Sequence, residues 1–226
     1  LRCEYCFASQ GSYNGERALL KFETGKKALD FLVKNSGSRR NLEVDFFGGE
    51  PLMNFETIKM LVEYGRTIEK EYNKNFRFTI TTNGVLLDDE KIDYINENMD
   101  NVVLSIDGRK NTNDRMRKTV NGKGSYDIIV NNFKNFVNKR MDKDYFARGT
   151  YTAYNLDFSE DVRHIRDLGF DKISVEPVVA KPEEKYALRE EHIDILKNEY
   201  EKLVRLYIDS YGDENKRFHL HRNQCT

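Results

Sequence analysis

Cys3 and Cys6, two of the chain's three cysteines, stand at C-x-x-C spacing with Tyr5 between them. Such a pair has three established uses: half of a zinc site, a redox dithiol, or part of an iron–sulfur site. A zinc site needs two more ligands, and Cys225, with His219 and His221 nearby, could close such a clasp from the far end of the chain. A redox dithiol normally belongs to a short βαβ domain, and this chain is too long and too rich in strand patterns to be that alone. A second chemistry-bearing stretch is the turn Gly48-Gly49-Glu50-Pro51, and the dipeptides Asn83-Gly84 and Asp107-Gly108 are of the same kind. Glycine lets backbone groups approach a bound molecule closely.

The elements around these turns follow from apolar periodicity. Leu42 to Phe47, Phe76 to Thr82, Val102 to Ile106, Tyr145 to Tyr154 and Lys172 to Val179 read as strands. Helical spacing predicts helices from Thr24 (as N-cap) to Asn35 and from an Asn54 cap through Ile68. Further helices start near Asp88, after a Ser125 cap and over Ser159 to Leu168 with Gly169 as its stop. A last one runs from Arg189 to Tyr211. The stretch between Gly108 and Ser125 reads as a polar loop. Five strands alternating with helices predict a parallel α/β fold, and ligands in such folds bind beyond the carboxyl ends of the strands. All three glycine-bearing turns lie at such ends.

The strands also alternate internally. Glu43, Asp45, Thr79, Thr81, Ser105, Asp107, Ser174 and Glu176 interleave with apolar residues. Parallel strands buried on both faces would instead read as continuous apolar runs. The alternation favours a partly open barrel with a polar interior over a Rossmann sheet.

Lys plus Arg is 37 against Asp plus Glu 38, a balance that argues against a dedicated nucleic-acid surface. Nothing approaches the length of a membrane span, and three cysteines make no disulfide framework, so a reducing cytoplasm is the expected compartment. His164 and His192 fall in helix patterns and read as surface or packing residues rather than ligands.

Leu1-Arg2-Cys3-Glu4-Tyr5-Cys6-Phe7 resembles the tail of the C-x-x-x-C-x-aromatic-C signature of the radical S-adenosylmethionine (SAM) superfamily, whose first cysteine would lie two positions upstream of Leu1. Gly48-Gly49-Glu50-Pro51 resembles the family's Gly-Gly-Glu motif. Ser105-Ile106-Asp107-Gly108, with Asn113-Asp114 and Arg117, resembles the ribose and carboxylate contact region of its peptide-modifying branch. A narrower likeness runs through Ala147 to Thr152, Asn155 to Ser159, Leu168 to Phe170 and Ile173 to Val178. This one is to the maturases of six-cysteines-in-forty-five (SCIFF) peptides, which install thioether crosslinks in cysteine-rich ribosomal peptides.

The resemblance implies a partial, open (β/α)6 TIM-like barrel lacking its first strand. Residues 1–211 would be its core, and 212–226 the start of a linker to a cysteine-rich SPASM region. It implies a 4Fe–4S cluster and SAM as cofactors, with Cys3 and Cys6 as cluster ligands. Reductive cleavage of SAM would give a 5′-deoxyadenosyl radical that takes hydrogen from a substrate. Tyr5 would pack on the adenine side, and Gly48, Gly49 and Glu50 would receive the methionyl ammonium. Ser105 would contact the ribose or carboxylate end, Arg117 would pair with the carboxylate, and Arg148 and Glu176 are further lumen candidates. Arg148 has a second reading as charge partner of Asp45 or Glu176. The partners implied are a cysteine-rich precursor peptide and a low-potential electron donor, with no nucleic acid and no membrane. Without the upstream cysteine, these residues alone are expected to be inactive. Sulfatase-maturing or other SPASM-type enzymes, a non-catalytic peptide- or nucleotide-binding module and the zinc clasp are the competing expectations.

Overall fold

Six strands lie parallel in one sheet in the computed structural model, which describes residues 1–8, 13, 15, 17–212 and 217–221. In chain order the elements are β1 (Arg2–Cys3), α1 (Phe22–Asn35), β2 (Asn41–Phe46), α2 (Phe55–Tyr72), β3 (Asn75–Thr82), α3 (Asp89–Asn98), β4 (Asn101–Ser105) and α4 (Lys110–Met116). There follow β5 (Arg117–Lys118), α5 (Tyr126–Arg140), β6 (Phe146–Tyr151), α6 (Phe158–Asp167), β7 (Lys172–Pro177), α7 (Ile193–Ser210) and β8 (His219–His221). The sheet order is β2-β3-β4-β6-β7-β8, while β1 and β5 form a separate two-stranded ribbon. β2 and β8 are the two edges, so the sheet is open.

The alternation read from the sequence sets the two faces. Phe78, Ile80, Val102, Leu104, Ala147 and Ile173 are fully buried under the helices. Ladder pairing keeps the other set together: Asp45 lies opposite Thr79, Thr81 opposite Val103, Ser105 opposite Arg148, and Thr150 opposite Glu176. The helix-free face is therefore mostly polar and partly open. α2 fits against β3 closely enough that a Cβ at Gly65 would meet the Phe78 ring at 2.6 Å.

Several local expectations give way to tertiary contacts. α1 begins at Phe22, two residues before Thr24, and no side chain caps it. Phe22 packs edge-on against Tyr64, which draws the extra turn into the helix. Ala28 is exposed, and Gly25 takes its place on the buried stripe, its Cα facing Leu61 of α2. Asn54 and Ser125 occupy cap positions without capping. Asn54 donates to the Leu20 carbonyl, and Ser125 to that of Arg117. The amides of Ser125 and Tyr126 are taken instead by Asp114 Oδ1, at 2.8 Å each.

The polar stretch after Gly108 contains α4. β6 stops at Tyr151, where Asn155 accepts from the Thr152 amide and hydroxyl, and β7 stops at Pro177. Ser159–Leu168 and Arg189–Tyr211 form helices with ends shifted by one to four residues, and Gly169 follows α6 at φ +100°. β8 lies inside the stretch read as a linker and pairs with β7.

Candidate active site

The cysteine stretch is pinned to the body by the β1–β5 ribbon. Cys3 stands opposite Arg117 and Arg2 opposite Lys118. The Glu4 amide donates to the Met116 carbonyl at 2.9 Å, and the Glu4 carboxylate pairs with Lys118 at 2.7 Å. The Cys6 amide donates back to the Cys3 carbonyl at 3.3 Å, so both thiols sit on one tight turn. Neither is in a disulfide, and both are half-buried. Burial pushes the Cys3 thiol above its ordinary value, with the Arg117 cation opposing.

Tyr5 points inward and donates from its hydroxyl to Asp107 Oδ2 at 2.6 Å. Asp107 is 2% exposed. Its Oδ1 accepts from the Thr150 amide of β6 at 3.0 Å and lies 3.0 Å from Arg117 Nε, off the line of a good N–H bond. The guanidinium also faces the Tyr5 ring, 5.5 Å from its centroid. Burial, reinforced by Asp107, holds the Tyr5 phenol well above its ordinary value, so it remains a donor. Burial opposes the Arg117 charge, but Asp107, Tyr5 and Cys3 together outweigh it and hold Arg117 above its ordinary value.

The glycine turn after β2 joins the same mouth. Phe7 stacks on Phe47 at 5.7 Å, bringing the cysteine loop beside Gly48. Glu50 Oε1 accepts from the Leu52 amide at 3.2 Å and the Thr82 hydroxyl at 2.8 Å, and Oε2 from the Asn83 amide at 2.8 Å. Burial pushes its carboxyl up, and these three donors counter it. Glu50 thereby ties the turn after β2 to the end of β3. Gly48, Gly49 and Glu50 line a cavity of about 690 Å³ with Arg2, Phe47 and Val120.

Ser105, Arg148 and Glu176 share the polar face. Arg148 Nη2 is 2.5 Å from Glu176 Oε2, so its charge partner is Glu176. Asp45 lies within 3.4 Å of Thr81, and burial raises its pKa against the pull of Thr81 and Arg148. The structure thus gathers Cys3, Tyr5, Cys6 and Arg117 with Asp107, sets the Gly48-Gly49-Glu50 turn beside them, and places Arg148 and Glu176 deeper on the sheet.

Sequence reading placed Asp107 among the alternating polar strand residues and in the Ser105–Gly108 motif without giving it a role of its own, and it did not consider Asp161. Asp161 accepts from the Arg109 amide (2.9 Å) and Nε (2.8 Å), Thr112 (3.1 Å) and Asn155 (3.1 Å). It presses on Gly108, where φ is +132° and a Cβ would stand 2.2 Å from that of Asp161. The Asp-Gly pair closing an apolar strand was the available signal.

Among the described residues no three His, Cys, Asp or Glu side chains converge on a metal position. His219 lies opposite Lys172, the first residue of β7, at the end of the sheet away from the strand-end turns. Cys225 and the side chain of His221 lie outside the described residues. His164 Nε2 bonds the Tyr126 hydroxyl at 2.5 Å, and His192 Nδ1 accepts from the Arg189 amide at 3.1 Å, both packing roles. No helix among the described residues is long and apolar enough to cross a membrane.

The sequence profile of the Radical SAM superfamily matches residues 1–151. The chain belongs to the radical SAM superfamily. It is 30% identical over 208 residues to an uncharacterized protein of Methanocaldococcus jannaschii, covering 90% of this chain and 66% of that protein. It is 31% identical over 141 residues to a cysteine-type anaerobic sulfatase-maturating enzyme of Clostridium novyi, covering 59% of this chain and 36% of the relative. The fold is that of native anSMEcpe solved with bound AdoMet and Kp18Cys peptide, with TM-score 0.83 at 18% identity over 97% of this chain and 59% of that one. The chain thus spans about a third to two thirds of these relatives.

The cofactors of this radical SAM chain are a 4Fe–4S cluster and S-adenosylmethionine. Two thiols outside any disulfide on one turn, beside a cation, fit as two of three cysteine corners. The third corner is not among the described residues.

Proposed function

We propose that this chain is the SAM-cleaving core of a peptide-modifying enzyme that forms thioether crosslinks in a cysteine-rich ribosomal precursor. The observation that carries the reading is convergence. The Phe7–Phe47 stack and the Tyr5–Asp107 bond bring the cysteine loop against the turn after β2 and the end of β4.

In this reading Cys3 and Cys6 hold two irons of the cluster, which with SAM supplies a 5′-deoxyadenosyl radical when reduced by a low-potential donor. The Gly48-Gly49 backbone receives the methionyl ammonium where no side chain obstructs approach. Glu50 orients that turn through Thr82 and Asn83 more than it reaches outward. Arg117 meets Asp107 through its Nε, and in this reading its terminal nitrogens take a carboxylate in a forked pair. Ser105 faces the ribose side, and Tyr5 gives the adenine an aromatic wall. Arg148 and Glu176, paired with each other, line the floor as a neutral polar surface.

Peptide modification is supported by the sulfatase-maturating relative and by a 26% identity over 172 residues to a radical SAM cyclopropyl synthase of Paramaledivibacter caminithermalis. Two sulfatase-maturating enzymes, of cysteine and serine type, match the chain, and they favour sulfatase maturation as the second reading. The test is anaerobic reconstitution of the complete protein with SAM, reductant and cysteine-containing peptides. 5′-Deoxyadenosine together with loss of two hydrogens per crosslink supports the first reading. Replacement of a cysteine thiol by an aldehyde supports the second. No 5′-deoxyadenosine from iron-loaded protein overturns both.

A further inference from the structure

We propose that Asp107 is the positioning residue that holds the cysteine loop over the mouth of the sheet, through the Tyr5 hydroxyl, before any cofactor is bound. The inference rests on the reading above only in what the loop is for.

Among the described residues the loop has several attachments of unequal strength, and two of them, the Glu4–Lys118 ion pair and the Tyr186 hydroxyl on the Glu4 carbonyl at 3.3 Å, are exposed. The β1–β5 ribbon is two residues long and ends at Cys3, and the Glu4 amide bond to Met116 extends it by one. The Phe7–Phe47 stack is solvent-washed, with Phe7 76% and Phe47 48% exposed. Between them, the Cys6 amide donates within the turn, to the Cys3 carbonyl. The buried anchor is the Tyr5 hydroxyl on Asp107, a charge-assisted bond at 2.6 Å to a side chain with no exposure.

That acceptor is itself fixed from three directions. The Thr150 amide and Arg117 hold Oδ1, and the Asp107 amide reaches Asn113 Oδ1 at 3.4 Å. Tyr5 lies within the Cys3–Cys6 turn, directly before Cys6, so one buried carboxylate holds the turn that carries both thiols. The same carboxylate fixes Arg117, the residue opposite Cys3. A surface tyrosine with an incidental bond would have a mobile, solvated acceptor, and this one is immobile and dry.

The experiment uses the cofactor-free protein under anaerobic conditions, with labelling of Cys3 and Cys6 by a thiol reagent followed residue by residue in mass spectra. Tyr5→Phe keeps the ring and removes the tether, and it should speed Cys6 labelling about tenfold through more frequent local opening, with the melting temperature unchanged. Asp107→Asn, which keeps an acceptor, should restore most of the protection that Asp107→Ala loses. The Tyr5→Phe/Asp107→Ala double variant should label no faster than Asp107→Ala. Rates within about twofold of the parent in Tyr5→Phe overturn the proposal, whether or not Asp107→Ala folds. Increases that multiply in the double variant overturn it too, since independent sites add in free energy. Because no cluster or SAM is needed, failure here leaves the radical SAM reading untouched, and the reverse also holds.

Discussion

The Phe7 and Phe47 rings lie 5.7 Å apart and 6° from parallel, and they join the residue after Cys6 to the residue before Gly48. Both rings are largely exposed, so the stack adds little to global stability, about 1 kcal/mol by the usual worth of an aromatic pair. Its consequence is local: it sets the distance between the cysteine turn and the glycine turn. Phe47→Ala should therefore weaken SAM binding several-fold in the loaded complete protein while moving the melting temperature by about 2 °C or less. Calorimetric titration against a melting curve separates the two effects.

Glu50 gives a contrasting case, because its carboxylate bridges two strand ends. Glu50→Ala leaves the Leu52 and Asn83 amides and the Thr82 hydroxyl without their acceptor. With Asn83 buried, the loss should be about 2 to 4 kcal/mol. Glu50→Gln keeps one acceptor oxygen and should recover roughly half of that. Equal melting temperatures in all three proteins would show that the bridge does not hold the turn.

How far the sequence carried this reading depends on the range of the forces involved. The alternation of Leu42, Val44 and Phe46 with Glu43 and Asp45 announces both the strand and its polar face, because the pleat alone decides where side chains go. α4 was missed because seven residues ending in Met116 show no apolar period; the helix is held by Asn113 and Asp114 reaching Ser125. The cap of α5 is likewise eleven residues away, where local cap rules do not look. β8 and the β1–β5 ribbon are too short for periodicity to register. At the site, residue types and order were legible in Cys3, Cys6 and the Gly48-Gly49-Glu50 turn. The Asp107 hub was not, since a buried carboxylate is recognised by its partners, Tyr5, Arg117 and Thr150, all distant in sequence except Arg117.

Glu199 provides a pH test on the outer layer. Burial alone would raise its pKa, but bonds from the Ser159 hydroxyl and amide and from Lys202 outweigh burial and leave it below the ordinary 4.5. A depressed folded value means that the ionised form stabilises the fold. That contribution is complete above about pH 4.5 and disappears as pH falls through the folded value. Glu199→Gln should accordingly melt about 5 °C lower at neutral pH, and the gap should close on acidification as the parent's carboxyl protonates. A gap that stays constant down to the acid limit would mean the charge contributes nothing.

Asp161 tests whether the turn carrying Asp107 is held from behind. It is 1% exposed and takes five donors, three from Arg109 and one each from Thr112 and Asn155, while Arg109 also reaches Asp157 at 2.9 Å. Asp161→Ala leaves the buried Asn155 side chain, the Thr112 hydroxyl and the Arg109 amide without their acceptor, so it should cost about 2 to 4 kcal/mol. Asp161→Asn retains an acceptor for the Arg109 amide but loses the charge, and about half that loss is expected. The informative comparison is functional. If the Gly108 turn is fixed by this carboxylate, Asp161→Asn should raise the Kd for SAM in the loaded protein even where melting shows it fully folded. An unchanged Kd in a folded Asp161→Asn protein would mean that β4 and the Tyr5–Asp107 bond place the turn without help from α6.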